Sequence, residues 1–122
     1  LSVKWAGGGL IATASDIARF DIALNYGKLL RPETLERMYT AGRLNNGARM
    51  GYGLGWMLSQ QGSRQLVAHS GGAMGGTTYV LREPRARTAS VVFVNLDNVP
   101  RLRELAEQLM ALAPDPLPVS TR

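Results

Sequence analysis

The chain has 122 residues, of which 45% are hydrophobic, with no cysteine and a single histidine. This length makes it one domain or less with room for a real core. The composition argues against disorder, and no run approaches the roughly 20 apolar residues of a membrane span. Without Cys there are no disulfides or thiolate metal sites, and one His leaves no zinc set. The net charge of +5 rests on 12 Arg and two Lys, but Arg19, Arg37, Arg49, Arg64, Arg82 and Arg101 fall in different segments. No basic stripe forms, so a solvated surface is favoured over a nucleic-acid interface.

Gly7-Gly8-Gly9 reads as a turn that allows close backbone packing. Thr13-Ala14-Ser15-Asp16 then forms a capping box and opens a helix to about Tyr26, with Ile17, Phe20 and Leu24 on its apolar face and Gly27 as its stop. Asp16 and Asp21 are placed on the exposed side of this helix. Pro32 suits the first position of a short second helix ending near Tyr39, with Glu33 at its positive end. The polar stretch from Ala41 to Met50 is a loop. Tyr52, Leu54, Trp56 and Leu58 alternate with small residues, which predicts a strand with Tyr52 and Trp56 in the core. After a turn at Gln61-Gly62-Ser63, further strands are expected over Gln65–His69, Thr77–Arg82 and Thr88–Leu96, with Gly71–Gly76 as a glycine-rich connection. The Val91–Val94 run is apolar on both faces, as in a central strand. Asp97 and Asn98 read as caps for a last helix starting near Pro100, with Leu102, Leu105, Ala106, Leu109 and Met110 at helical spacing. The tail over 114–122 holds three prolines and no periodicity and is expected to be flexible. The fold class is therefore α+β: two N-terminal helices, a four-stranded antiparallel sheet, and a C-terminal helix packed on the sheet.

The chemistry concentrates at Ala68-His69-Ser70-Gly71-Gly72, which places the one imidazole beside a hydroxyl and two glycines. A nucleophile elbow centred on Ser70 fails. Its base would have to be His69, the adjacent residue, and neighbours on a strand point to opposite faces.

Taken in order, Gly8-Gly9-Leu10-Ile11-Ala12-Thr13-Ala14-Ser15-Asp16-Ile17-Ala18-Arg19-Phe20, Leu30-Arg31-Pro32-Glu33-Thr34-Leu35, Gly51-Tyr52-Gly53-Leu54-Gly55-Trp56 and His69-Ser70-Gly71-Gly72 resemble the C-terminal part of the serine β-lactamase and penicillin-binding-protein superfamily. The branch is that of class C β-lactamases with their esterase and D-alanyl-D-alanine carboxypeptidase relatives. The resemblance implies that residues 1–113 are the C-terminal portion of a bacterial β-lactamase-like domain. It implies hydrolysis of a β-lactam, a D-Ala-D-Ala peptide or an ester through an acyl-enzyme. It also implies that His69-Ser70-Gly71 stands where the family carries K-T-G.

His69 would then replace the lysine electrostatically, Ser70 would hydrogen-bond the substrate, and the Gly72 N–H would be one of two oxyanion donors. Gly71, Ala73 and Met74 would line the substrate cleft. A periplasmic or secreted location follows from the same resemblance, and neither cofactor nor metal is implied.

The departures are equally specific. Lys4 and Lys28 are preceded at the S-x-x-K distance by Leu1 and Asn25. Tyr26, Tyr39, Tyr52 and Tyr79 are followed two places on by Lys28, Ala41, Leu54 and Leu81, so none opens a Y-x-N. The expectation is a half-site, inactive alone, whose partner is the missing N-terminal part of its own domain. The chain opens on Leu1 without a leader pattern, and this start reads as a boundary or a cleavage point beyond any targeting segment. The rival reading is a non-catalytic binding or interaction module of the same fold, with homodimerisation through an exposed sheet edge.

Overall fold

A computed structural model describes residues 8–113. The elements run α1 (Ala14–Asn25), α2 (Pro32–Met38), β1 (Met57–Gln61), β2 (Arg64–Ala73), β3 (Gly76–Glu83), β4 (Thr88–Val94) and α3 (Leu102–Ala111). The sheet is an antiparallel meander in the order β1-β2-β3-β4, and the α+β arrangement matches the one expected. The expected tail over 114–122 lies outside the described residues. No helix among the described residues is long and apolar enough to cross a membrane.

α1 starts as its sequence dictates. Asp16 N–H donates to Thr13 Oγ1 at 3.1 Å, and Thr13 N–H donates to Asp16 Oδ2 at 3.0 Å, closing the capping box. The helix stops where Gly27 takes φ +68° and Lys28 N–H reaches back to the Ala23 carbonyl.

The core lies between the sheet and α3. Leu66 and Ala68 of β2, Tyr79 and Leu81 of β3 and Val92 of β4 pack against Leu102, Ala106 and Met110, which recur every four residues along α3. Each fully buried leucine there contributes about 1.5–3 kcal/mol. Leu105 and Leu109, expected on the same stripe, stay partly exposed.

The opposite face of the sheet is held differently. Arg82 is 0% exposed and ion-paired with Asp21 of α1, itself 4% exposed. Arg82 Nη2 also donates to Asn25 Oδ1 at 2.9 Å, and Asn25 Nδ2 donates to Asp21 Oδ2 at 2.8 Å. The guanidinium lies 4.8 Å from the Trp56 ring centre and 5.4 Å from that of Tyr39. Asp21 is thus a buried anchor rather than part of an exposed helix face, and Arg82 does not belong to the solvated surface. The apolar side of α1 is correspondingly smaller than expected, with Leu24 buried and Phe20 half-exposed.

Four expectations are corrected by the strands and by α3. The first strand does not begin at Tyr52. Gly53 N–H donates to the Trp56 carbonyl at 2.8 Å and Gly55 sits at φ +81°, so Gly53–Trp56 is a turn closed by a Tyr52–Met57 bridge. The glycines at every second position had produced a period of two without a strand. Gly71–Ala73 are not a connection but the end of β2, since Gly71 pairs with Thr78 and Gly72 with Thr77. β4 is an edge strand among the described residues, with Phe93 40% exposed. Asp97 and Asn98 do not cap α3; its N-cap is Arg101 at φ +62°, without a side-chain cap.

Candidate functional site

The two hairpins of the meander fix which backbone groups are free at the motif. Ala73 pairs with Gly76 across the two-residue loop Met74-Gly75. In such a hairpin the flanking pair exchanges both N–H···O bonds, and bonded pairs alternate with non-bonded ones along the ladder. His69, Gly71 and Ala73 therefore bond to β3, while the N–H and C=O of Ser70 and Gly72 face away from it. The other hairpin gives the same answer. Gln61 pairs with Arg64 across Gly62-Ser63, so Arg64, Leu66 and Ala68 bond to β1. β1 reaches no further than the Met57–Ala68 pair. Beyond it, the outer edge of β2 from His69 to Ala73 meets no strand among the described residues, and the amides of Ser70 and Gly72 point out of that edge.

The side chains divide as strand geometry requires. Ser70 lies opposite Tyr79, on the α3 side, and His69 lies opposite Val80, on the α1 side. Both are exposed. The structure thus brings His69, Ser70, Gly71 and Gly72 onto one open strand edge but does not turn imidazole and hydroxyl toward each other, so Ser70 with His69 as its base is excluded geometrically.

The two glycines differ. A Cβ on Gly71 would meet Thr78 Oγ1 at 2.5 Å, so Thr78 crosses over the backbone there. A Cβ on Gly72 would meet nothing within 4 Å. Gly72 is therefore not a glycine for packing reasons, and the space beside its amide is open.

Ala73 and Met74 form the tip of the β2–β3 hairpin, with Met74 99% exposed. The tip is tied down from the β4–α3 loop. Gly75 N–H donates to Asp97 Oδ1 at 2.8 Å, and Thr77 Oγ1 donates to the Leu96 carbonyl at 2.7 Å. Asp97→Ala removes the first tie, worth about 1 kcal/mol. Amide exchange at Gly75, followed by NMR, is expected to quicken about fivefold while core amides such as Leu81 keep their protection.

Two contacts beside the motif escaped the sequence. The Tyr52 and His69 rings meet edge-to-face, with centroids 6.3 Å apart and planes at 70°. Behind them, Trp56 and Tyr39 rest on the Arg82 guanidinium. Burial pushes the Tyr39 hydroxyl above its usual pKa, with the Arg82 charge opposing the shift. No local signal marks either contact, since each joins segments that only the strand register brings together. Among the described residues no group of three His, Cys, Asp or Glu could hold a metal ion.

Comparison with known proteins places the chain in a family. The family model Beta-lactamase matches residues 2–115. Penicillin-binding protein 4* of Bacillus subtilis (strain 168) is 36% identical over 76 residues, which are 62% of this chain and 17% of that protein. The chain thus spans under one-fifth of the length of the curated relative it matches.

Proposed function

Because the chain belongs to the Beta-lactamase family, we propose that it is the sheet wall of a serine hydrolase that cleaves a β-lactam, a D-Ala-D-Ala-type peptide or a small ester through an acyl-enzyme. The open edge of β2 over His69–Ala73, with the Ser70 and Gly72 amides pointing outward, carries this reading. A serine from outside this chain attacks the substrate carbonyl carbon. Negative charge grows on the carbonyl oxygen, and the Gly72 N–H donates to it as one of two oxyanion donors. Such a donor lowers the barrier by roughly 3 kcal/mol, because it is in place before the charge develops. The tetrahedral intermediate then breaks its bond to the amine or alcohol, whose leaving atom takes the proton given up by the serine, and water later cleaves the acyl ester and restores the serine hydroxyl.

Ser70 hydrogen-bonds the substrate's carboxylate or carbonyl. His69 takes the place of the family's lysine, and Gly71, Ala73 and Met74 line the cleft. Phe93 is exposed and the outer edge of β4 pairs with no strand among the described residues, which supports a further part of the same domain seated there, the source of the nucleophile.

Intact-protein mass spectrometry after incubation with a fluorophosphonate, and separately with a penicillin, tests the division of labour. This chain alone is expected to gain no adduct, whereas the protein carrying the remaining part of the domain gains one outside residues 1–122. A stoichiometric adduct on Ser70 would refute the proposal. In that larger protein His69→Ala is expected to lower kcat/KM about a hundredfold; unchanged kinetics would make His69 a structural residue and favour a binding module.

A further inference from the structure

We propose that Tyr52 is a positioning residue whose ring sets the orientation of the His69 imidazole. The inference rests on the functional reading of His69 given above. His69 is the first residue of β2 beyond the reach of β1, and its side chain is exposed. An imidazole at such a place has several staggered rotamers open to it. The Tyr52 ring meets it edge-to-face, at 6.3 Å between centroids and 70° between planes, the arrangement that aromatic quadrupoles favour.

Which partner governs the other follows from how each is held. The Tyr52 backbone is pinned on three sides. Its carbonyl accepts from Gly42 N–H at 2.9 Å, and the preceding Gly51 carbonyl accepts from Leu58 N–H at 2.8 Å. The following Gly53 is packed so closely on the end of α2 that a Cβ would lie 2.2 Å from the Met38 carbonyl oxygen. The turn that begins there ends at Trp56, which rests on the buried guanidinium of Arg82. Tyr52 is thus a half-buried ring on a fixed backbone, whereas His69 is an exposed ring at an open edge. The rigid ring orients the free one, and Tyr52 does so without being asked to touch substrate.

Two measurements test this. The first uses the larger protein that turns over substrate. Tyr52→Leu, which keeps bulk but removes the aromatic ring, is expected to lower kcat about tenfold with KM held within about twofold. Tyr52→Phe is expected to restore kcat, since the ring is retained. Added to His69→Ala, Tyr52→Leu is expected to cost nothing further. The second uses this chain, whose one histidine gives a single set of imidazole NMR signals. Tyr52→Leu is expected to shift and broaden them, and Tyr52→Phe to leave them in place.

Wild-type kcat in Tyr52→Leu, with His69→Ala impaired, would overturn the role of Tyr52 and leave the function intact. A loss in Tyr52→Phe equal to that in Tyr52→Leu would also overturn it, by transferring the effect to the hydroxyl. His69→Ala at wild-type turnover would remove the functional reading itself, and this inference with it.

Discussion

Asp21→Ala is expected to cost the chain about 3–5 kcal/mol of stability, a large share of the roughly 5–15 kcal/mol that holds a domain of this kind together. The reason is the partner left behind. Arg82 is fully buried, its Nη1 has no hydrogen-bond partner, and Asp21 is the one carboxylate paired with it among the described residues. An uncompensated guanidinium there has to draw in water or pull β3 toward the surface. The pair itself is a different matter. Burial pushes the Asp21 carboxyl above its usual pKa, with the Arg82 charge and the Asn25 amide pulling it back. A carboxyl raised in the fold favours folding below its unfolded pKa, and that contribution is lost as the pH rises through the folded value. Ionising Asp21 in the fold therefore subtracts from stability rather than adding to it, and Arg82 and Asn25 limit that loss. The double variant Asp21→Leu/Arg82→Met is accordingly expected to recover most of what Asp21→Ala loses. Urea unfolding followed by circular dichroism distinguishes the cases. An unchanged midpoint in Asp21→Ala would show that Arg82 escapes to solvent without penalty.

What the sequence made legible and what it concealed separate along physical lines. The capping box at Thr13 and Asp16, the stop at Gly27 and Pro32 at the head of α2 depend on contacts within a few residues, and each is where the local pattern puts it. The sheet side of α3 was legible for the same reason, because Leu102, Ala106 and Met110 repeat with the turn of the helix. Arg82 and Asp21 were not, since a charged residue looks solvated until a partner 61 positions away is brought against it. The motif His69-Ser70-Gly71-Gly72 was legible as a place. Its directions were not. Gly71 and Gly72 resemble a loop by composition, and only pairing with Thr78 and Thr77 keeps them in β2. Which amides point outward depends in turn on where β1 begins, and that is decided by the turn at Gly53–Trp56 that its glycines disguised as a strand.

That same turn is the seat of the second large effect, expected from Gly53→Ala. A Cβ at Gly53 would stand 2.2 Å from the Met38 carbonyl oxygen and 3.2 Å from that of Thr40. Both are backbone atoms, so no side chain can swing aside. The Met38 oxygen is moreover committed, accepting from Leu54 N–H at 3.0 Å. Either the end of α2 or the turn has to move by roughly 1 Å, at a cost of about 3 kcal/mol, the upper end of ordinary overpacking. Gly55 supplies the control. It sits at φ +81° with open space around it, so Gly55→Ala strains only the backbone and costs about 1–2 kcal/mol. Urea midpoints should therefore fall further for Gly53→Ala than for Gly55→Ala, and the reverse order would mean that α2 is not packed on the turn. The two variants should also part at His69. Displacing Gly53 moves Tyr52, its neighbour, off the imidazole, so Gly53→Ala is expected to shift the His69 NMR signals in the sense of Tyr52→Leu. Strain at Gly55 can relax into solvent and leave them where they are. One added methyl group, 16 residues from the histidine and not in contact with it, is then read at the open edge of β2, because α2, the turn, Tyr52 and His69 form a single run of contacts.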